Sequence, residues 1–358
     1  MRTILLFTLL CLISVSLNAQ KLAGVVYDRE NQEPVTGAHV YIEGSSLYDV
    51  TNAEGQFEIK VNSFVNLPLA ISHISYNSLI IQNPFTTLPD TIFLEGKENV
   101  LGEVIVETGR YSRRQLLRAF RREFLGSSAA AQSCLIENED KIDIWFNRLT
   151  HKLSASCDEP ILIHNRLLGY QIYLTLEKFE VEYPGRQLGV GFPLQTVLEG
   201  SAFFEDLAPS NQTISNRRER IFAGSPTHFL RVLANEQLVK FNYIPHQISD
   251  RLEVDPSFCF IVQDSLDQKK IRVTPRLKPL ESVLATYHGR LFWGEIGVRR
   301  NRTESSRIIF FTETFFVDAW GNLSNPEDIL FMGFMGHFRI GDQLPVDYGI
   351  DNSKPSPK

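Results

Sequence analysis

The sequence predicts a mainly β protein, an N-terminal β-sandwich followed by a β-rich α+β domain with a few short helices. Three observations predict it. Apolar residues fall on every second position in several short runs near the front of the chain, the period of a strand with one face buried. Turn residues separate those runs with no helical stretch between them, which implies two packed sheets. Farther on, segments rich in aromatic and β-branched residues alternate with turns, and the chain holds 25 phenylalanines against 3 methionines, a composition suited to flat side chains packed between sheets.

The first nineteen residues read as a secretory leader. Arg2 supplies the charged start, Ile4 to Leu12 the apolar run and Ala19 the small residue before the cut. The run is shorter than the roughly 20 residues of a membrane helix. Cys11 lies inside it, too near the start to be a lipid-attachment site. The expectation is an exported protein, in the periplasm or associated with the outer membrane. Acidic residues outnumber basic ones, 42 to 36, and nucleic acid is excluded as a partner because its phosphates demand a clustered basic face. At about 150 residues per domain the length suggests two domains, and the divisions expected are a leader over 1–19, a sandwich over 20–108, a β-rich domain over 109–350 and a disordered polar tail over 351–358.

Within the sandwich, Phe57, Ile59 and Val61 alternate with Gln56, Glu58 and Lys60, and Ala38, Val40 and Ile42 alternate with His39, Tyr41 and Glu43. Asn31 to Pro34 form one intervening turn. Asn52 to Gly55 form another, where Gly55 supplies the positive φ of a tight turn. Five ordered motifs then become recognisable: Gly24-Val25-Val26-Tyr27-Asp28, Pro34 to Val40, Thr51 to Phe57, Ser72-His73-Ile74-Ser75-Tyr76 and Gly102-Glu103-Val104-Ile105-Val106. Together they resemble the carboxypeptidase regulatory-like domain over about a quarter of the chain. One departure is Ser75, where the family usually has glycine. The resemblance implies a transthyretin-like β-sandwich, found as the N-terminal module of secreted and outer-membrane proteins of Gram-negative bacteria. It implies no peptidase activity, because the family accompanies catalytic domains and is not one.

A helix is expected over 112–125. Ser112 and Gln115 form a capping box, Tyr111 and Leu116 a hydrophobic staple, and Gly126 the stop. Leu116, Leu117, Phe120 and Phe124 share an apolar stripe, with Arg114, Arg118, Arg121 and Arg122 beside and opposite it. These arginines form either a solvated face or a peripheral membrane contact with anionic lipid. Strands are expected at Lys141 to Asn147, Ile161 to His164, Tyr170 to Tyr183, Gln195 to Phe204, Cys259 to Gln263, Lys270 to Thr274, Leu291 to Arg299 and Ile308 to Asp318. A second helix follows Ser225 as N-cap with Pro226 at its first position, and carries Phe229, Leu230 and Leu233 on one face. This segment and Asp342-Gln343-Leu344-Pro345-Val346-Asp347-Tyr348 resemble the C-terminal regions of uncharacterised proteins bearing the same N-terminal module.

Candidate chemistry is sparse. The eight histidines are scattered singly with no H-E-x-x-H, no G-x-S-x-G elbow occurs, and Gly96-Lys97 is followed by Glu98, so no phosphate loop forms. No catalytic residue, metal ligand or cofactor site is assigned. His228 and Arg231, one helical turn apart, are candidate ligand contacts. With Arg217, Arg218 and Arg220 they bind an anionic group, or else the helix simply packs against the sheets. Cys134 and Cys157 either form a disulfide or stay reduced beside Cys259. The aromatic tail, Phe310, Phe311, Phe315, Phe316, Trp320, Phe331, Phe334 and Phe338, is read as core, with a sugar-gripping surface as the other reading. The expected function is non-enzymatic binding or assembly at the envelope, with envelope proteins or glycans as candidate partners and the oligomeric state left open. The alternative is a hydrolase in the C-terminal domain using His228 with Asp342 or Asp347.

Overall fold

A computed structural model describes residues 20–61, 67–97, 111–191, 193–274, 286–287 and 290–350. The leader, the Gly102–Val106 motif, the domain boundary near Thr108 and the polar tail lie outside the described residues. Among those described, no helix is long and apolar enough to cross a membrane.

Seven strands build the N-terminal sandwich: β1 (Gln20–Asp28), β2 (His39–Ile42), β3 (Tyr48–Val50), β4 (Gln56–Val61), β5 (Leu69–His73), β6 (Tyr76–Ile81) and β7 (Thr91–Leu94), with a single-turn helix α1 (Pro84–Thr87) before the last. One sheet runs β4-β1-β7 and the other β3-β2-β5-β6. The expected alternation holds in β4, where Phe57, Ile59 and Val61 are buried and Gln56, Glu58 and Lys60 exposed. It fails partly in β2, whose Tyr41 is as buried as Val40 and Ile42, because something covers the outer face as well. Gly55 sits at φ +73°, and a Cβ there would lie 2.5 Å from the Val26 carbonyl oxygen, so the turn accepts only glycine.

The rest of the chain carries two cores where the sequence suggested one domain. Helix α2 (Arg113–Phe124) opens the first, followed by a short α3 (Ala129–Gln132), β8 (Cys134–Ile136), β9 (Asp143–Asn147), β10 (Lys152–Ser156), β11 (Ile161–Asn165), β12 (Tyr170–Glu182) and β13 (Gln195–Asp206). The capping box of α2 forms, with the Ser112 N–H donating to Gln115 Oε1 at 2.9 Å. Of its apolar stripe Phe120 and Phe124 are buried and Leu116 and Leu117 half-buried, and Phe120 and Phe124 stack on one another and meet Phe179 of the sheet edge-on. The sheet is ordered β8-β11-β12-β10-β9, with β13 running antiparallel along β12.

Two helices then follow, α4 (Gln212–Phe222) and α5 (Pro226–Ala234). The sequence reading missed α4, whose start is set by Asn211 Oδ1 accepting from the N–H groups of Thr213 and Ile214. Helix α5 starts as predicted, with the His228 N–H donating to Ser225 Oγ. The second core comprises α5 and β14 (Tyr243–His246), β15 (Phe260–Ser265), β16 (Gln268–Val273), β19 (Gly294–Arg300), β20 (Glu304–Phe310), β21 (Thr314–Asp318) and β22 (Ile329–Gly333), with β17 (Thr286–Tyr287) and β18 (Arg290–Leu291) forming a separate two-stranded ribbon. Its main sheets are β14-β19-β20-β22 and β15-β16-β21. The single strand expected over Ile308–Asp318 is two: the chain turns at Thr312, whose Oγ1 accepts from the Thr314 N–H, and β20 and β21 enter different sheets. Likewise the Leu291–Arg299 run divides into β18 and β19.

The aromatic tail is core in part. Phe310, Phe315 and Trp320 are fully buried, and Phe311, Phe316, Phe331, Phe334 and Phe338 are half-buried. Trp320, however, belongs to the core of the N-terminal sandwich, packed with residues such as Val26, Val40 and Ile59. The outer cover of Tyr41 is Phe203 of β13, at 4.7 Å between ring centroids, with Tyr173 stacked beyond it at 4.5 Å. Main-chain bonds complete the junction, Gly44 N–H to the Ala202 carbonyl at 2.7 Å and Phe204 N–H to the Ser45 carbonyl at 2.9 Å.

Candidate functional site

The last described residues, 340–350, form a strap that touches every module. Gly341 N–H donates to the Leu125 carbonyl, and the Gly341 carbonyl accepts from Asn165 Nδ2. Val346 N–H donates to the Gly44 carbonyl at 2.8 Å. Asp347 accepts from the Ser46 N–H at 2.8 Å and from Ser46 Oγ at 2.5 Å, and Val346 and Ile350 pack on the sandwich core. The two C-terminal segments singled out in the sequence, around Ser225 and around Leu344, meet here through one side chain. Arg231 donates from Nε to the Trp320 carbonyl at 2.7 Å, from Nη1 to the Tyr348 carbonyl at 2.6 Å and from Nη2 to the Val346 carbonyl at 2.5 Å, while lying over the Phe222 ring. Burial pushes its pKa down to about 10, opposed by Asp318 and Asp347, so it stays charged at neutral pH.

This arrangement corrects the reading of Arg231 as a ligand contact: its donors are spent on three main-chain carbonyls. His228 is equally committed. Its Nδ1 accepts from the Gly224 N–H at 3.3 Å and pairs with the Tyr243 hydroxyl at 2.8 Å, and Phe222 and Phe241 meet the ring edge-on. Burial, reinforced by Arg300 and Arg231, pushes the imidazole pKa down to about 4, so the ring is neutral at pH 7. Arg218 is buried in a bidentate pair with Asp206, at 2.7 Å for each bond, and lies 3.8 Å above the Tyr170 ring, which removes it from any anion site. Asp347 holds Ser46, and Asp342 is bonded to Ser128 and the Arg339 main chain, while His228 is bonded to Gly224 and Tyr243.

Cys134 and Cys157 are free thiols, correcting the disulfide. Cys134 opens β8, which pairs with β11, and Cys157 follows β10, which pairs with β9 and with the far half of β12. Of the arginines on α2, Arg121 pairs with Glu139, Arg122 with Glu123, and Arg113 donates to the carbonyls of Glu139 and Ile142. Arg114 and Arg118 are exposed.

What the strap and its neighbours enclose is a cleft of about 440 Å³ at the meeting of the modules, within the size range of small-molecule sites. Gly44 contributes from the sandwich and Ala202 and Phe204 from β13. Phe222, Ser225 and Thr227 come from the α4–α5 corner, Phe331 and Met335 from the second core, and Asp342 to Val346 from the strap. Asp342 is its single titratable lining residue among the described residues, 9% exposed. Burial raises its carboxyl pKa, against the bonds from Ser128 and Arg339. Sequence reasoning missed this site because its walls come from five separated segments; the two segments singled out around Ser225 and around Leu344 both line it, but nothing in the sequence brings them together.

Fold and cleft together define a multi-module β protein with a partly open crevice of mixed polar and apolar lining between a small N-terminal sandwich and a larger body. Residues 22–106 match the CarboxypepD_reg-like domain family, and this module is of a non-catalytic, regulatory or binding type. No curated protein matches the chain.

Proposed function

We propose that the protein is an exported, non-enzymatic binding component of the bacterial envelope, and that the cleft between its modules is the binding site. One observation carries the reading: the cleft walls combine Gly44 of the regulatory-like sandwich with residues of both larger cores and the strap, so the lining is complete only when the sandwich is docked. A regulatory-type module fixed into a crevice suits recognition, and pockets at module junctions are where ligands are commonly bound. The leader-like residues 1–19 support export, to the periplasm or the outer membrane. Partner proteins or glycans at the envelope are the candidates for what the complex serves.

Two measurements test this. The full chain is produced in a Gram-negative host, which is fractionated, and the product is sequenced from its N-terminus. The expected result is an envelope form beginning at Gln20, and an intact Met1 form in the cytosol refutes export. The purified protein is then titrated with the neutral fluorescent probe N-phenyl-1-naphthylamine. Saturable binding is expected, and Ala202→Trp, which narrows the cleft, should abolish it. Undiminished binding by that variant, with an unchanged circular dichroism spectrum, refutes the cleft as the site.

A further inference from the structure

We propose that one end of the first core is a membrane-contact surface, where the β9–β10 and β12–β13 connections enter the headgroup region of a bilayer bearing anionic phospholipid. The cleft takes no part in it. At this end β10, β12 and β13 lie side by side: the Tyr183 N–H donates to the His151 carbonyl at 3.0 Å and the Leu194 N–H to the Glu182 carbonyl at 2.8 Å. Both connections hold aliphatic side chains in water there, with Leu149 79% exposed, Val190 57% and Leu194 48%. One exposed leucine is ordinary on a protein surface, whereas three such residues at one end mark a contact with something apolar. The first tip is also fixed in place, since Asn147 Oδ1 accepts from the N–H groups of Leu149 at 2.8 Å and Thr150 at 3.1 Å. Leu149 therefore sits on an ordered turn and loses little freedom on insertion.

The charge at the same end identifies the occupant. Residues 148–152 and 184–191 include Arg148, Lys152 and Arg186 and no aspartate or glutamate, on a chain where acids outnumber bases. Arg148 and Arg186 are exposed, and Lys152 is bonded to Glu180. The nearest acid along the chain is Glu182, half-buried at the end of β12. Helix α2 adds a further cation. Its flanking Tyr111 hydroxyl accepts from the Leu188 N–H at 3.0 Å, and Arg122 donates to the Tyr183 hydroxyl at 3.3 Å, so the exposed Arg118, one turn before Arg122, stands beside the same loop. Aliphatic side chains among cations suit the boundary between acyl chains and phosphate. An uncharged apolar partner would cover the aliphatic residues and leave the arginines unmatched.

Co-sedimentation with vesicles tests the proposal, using the chain that begins at Gln20 so that the apolar leader-like run plays no part. Binding is expected to mixed phosphatidylethanolamine and phosphatidylglycerol vesicles, to weaken as salt is raised, and to be at least about tenfold weaker on phosphatidylcholine. Each cation near an anionic surface contributes roughly fivefold, so Arg148→Gln combined with Arg186→Gln should weaken binding about 25-fold. Leu149→Ser combined with Val190→Ser should weaken it at least about tenfold. In Leu149→Trp, brominated lipid should quench the emission more than in the parent. Should the serine variant fail to fold, the arginine variant and the lipid ranking still decide. No binding, equal binding to the two lipids, or undiminished binding by the arginine variant overturns the inference. So does a dimer formed without vesicles and lost in Leu149→Ser, which would make the surface a contact between copies. Each of these results leaves the cleft reading as it stands.

Discussion

Arg231→Met separates a clamp from a ligand contact. The substitution keeps an apolar stem over Phe222 but withdraws the donors from the carbonyls of Trp320, Val346 and Tyr348. An orphaned acceptor costs about 1–3 kcal/mol. The three bonds here are only part-buried, so water can relieve them and the low end of that range applies to each. The expected loss is about 3 kcal/mol in the free energy of unfolding. Arg231→Lys keeps the charge but presents an ammonium that cannot replace a three-way planar fork, and should lose roughly half as much. The assay is urea unfolding followed by tryptophan fluorescence, with limited proteolysis of the sandwich in parallel. Stability of Arg231→Met within about 0.5 kcal/mol of the parent, the spread of ordinary surface substitutions, would show that the fork does not hold the strap and sandwich in place.

Three further outcomes are expected. Trp320→Ala removes a fully buried indole from the sandwich core and should cost about 3–5 kcal/mol; a thermal melt that barely moves would contradict that packing. His228 is neutral in the folded protein down to pH about 4, whereas in the unfolded chain it takes up a proton near pH 6.5. The unfolded state therefore binds more protons in that window, and stability is complete above pH 6.5 and falls towards pH 4, by up to about 3 kcal/mol. His228→Phe should flatten that segment of the pH profile, and an unaltered slope would refute the assignment. In denaturant without reductant, a chain beginning at Gln20 should titrate with Ellman's reagent as three thiols, because Cys134, Cys157 and Cys259 are free; a single reactive thiol would restore the disulfide.

The sandwich was legible because its strands alternate and its turns carry their own chemistry, and α2 because a capping box and an apolar stripe agree. Helix α4 was not, since its sequence is dominated by Asn216 to Arg220 and offers little amphipathic signal. The cap at Asn211 was the available clue. The division of Ile308–Asp318 was hidden because an unbroken run of aromatic and β-branched residues does not say where a strand turns. For Arg231 and His228 the sequence offered a ligand contact or a packed helix, and the bonds of both side chains are internal. Their spacing on α5 was visible, but the carbonyls and the tyrosine that occupy them come from residues far along the chain. The same separation concealed the cleft, and no local pattern ties Trp320 to a sandwich whose family match ends at residue 106.

That indole has a consequence for the order of assembly. Synthesis proceeds from the N-terminus, so the first module leaves the ribosome long before the tryptophan that fills its interior, and two-thirds of the polypeptide must follow before that gap can close. Contacts so distant along the chain are slow to form. The small leading module is thus expected to wait, incompletely packed and exposed to proteases, until the trailing residues return to finish it.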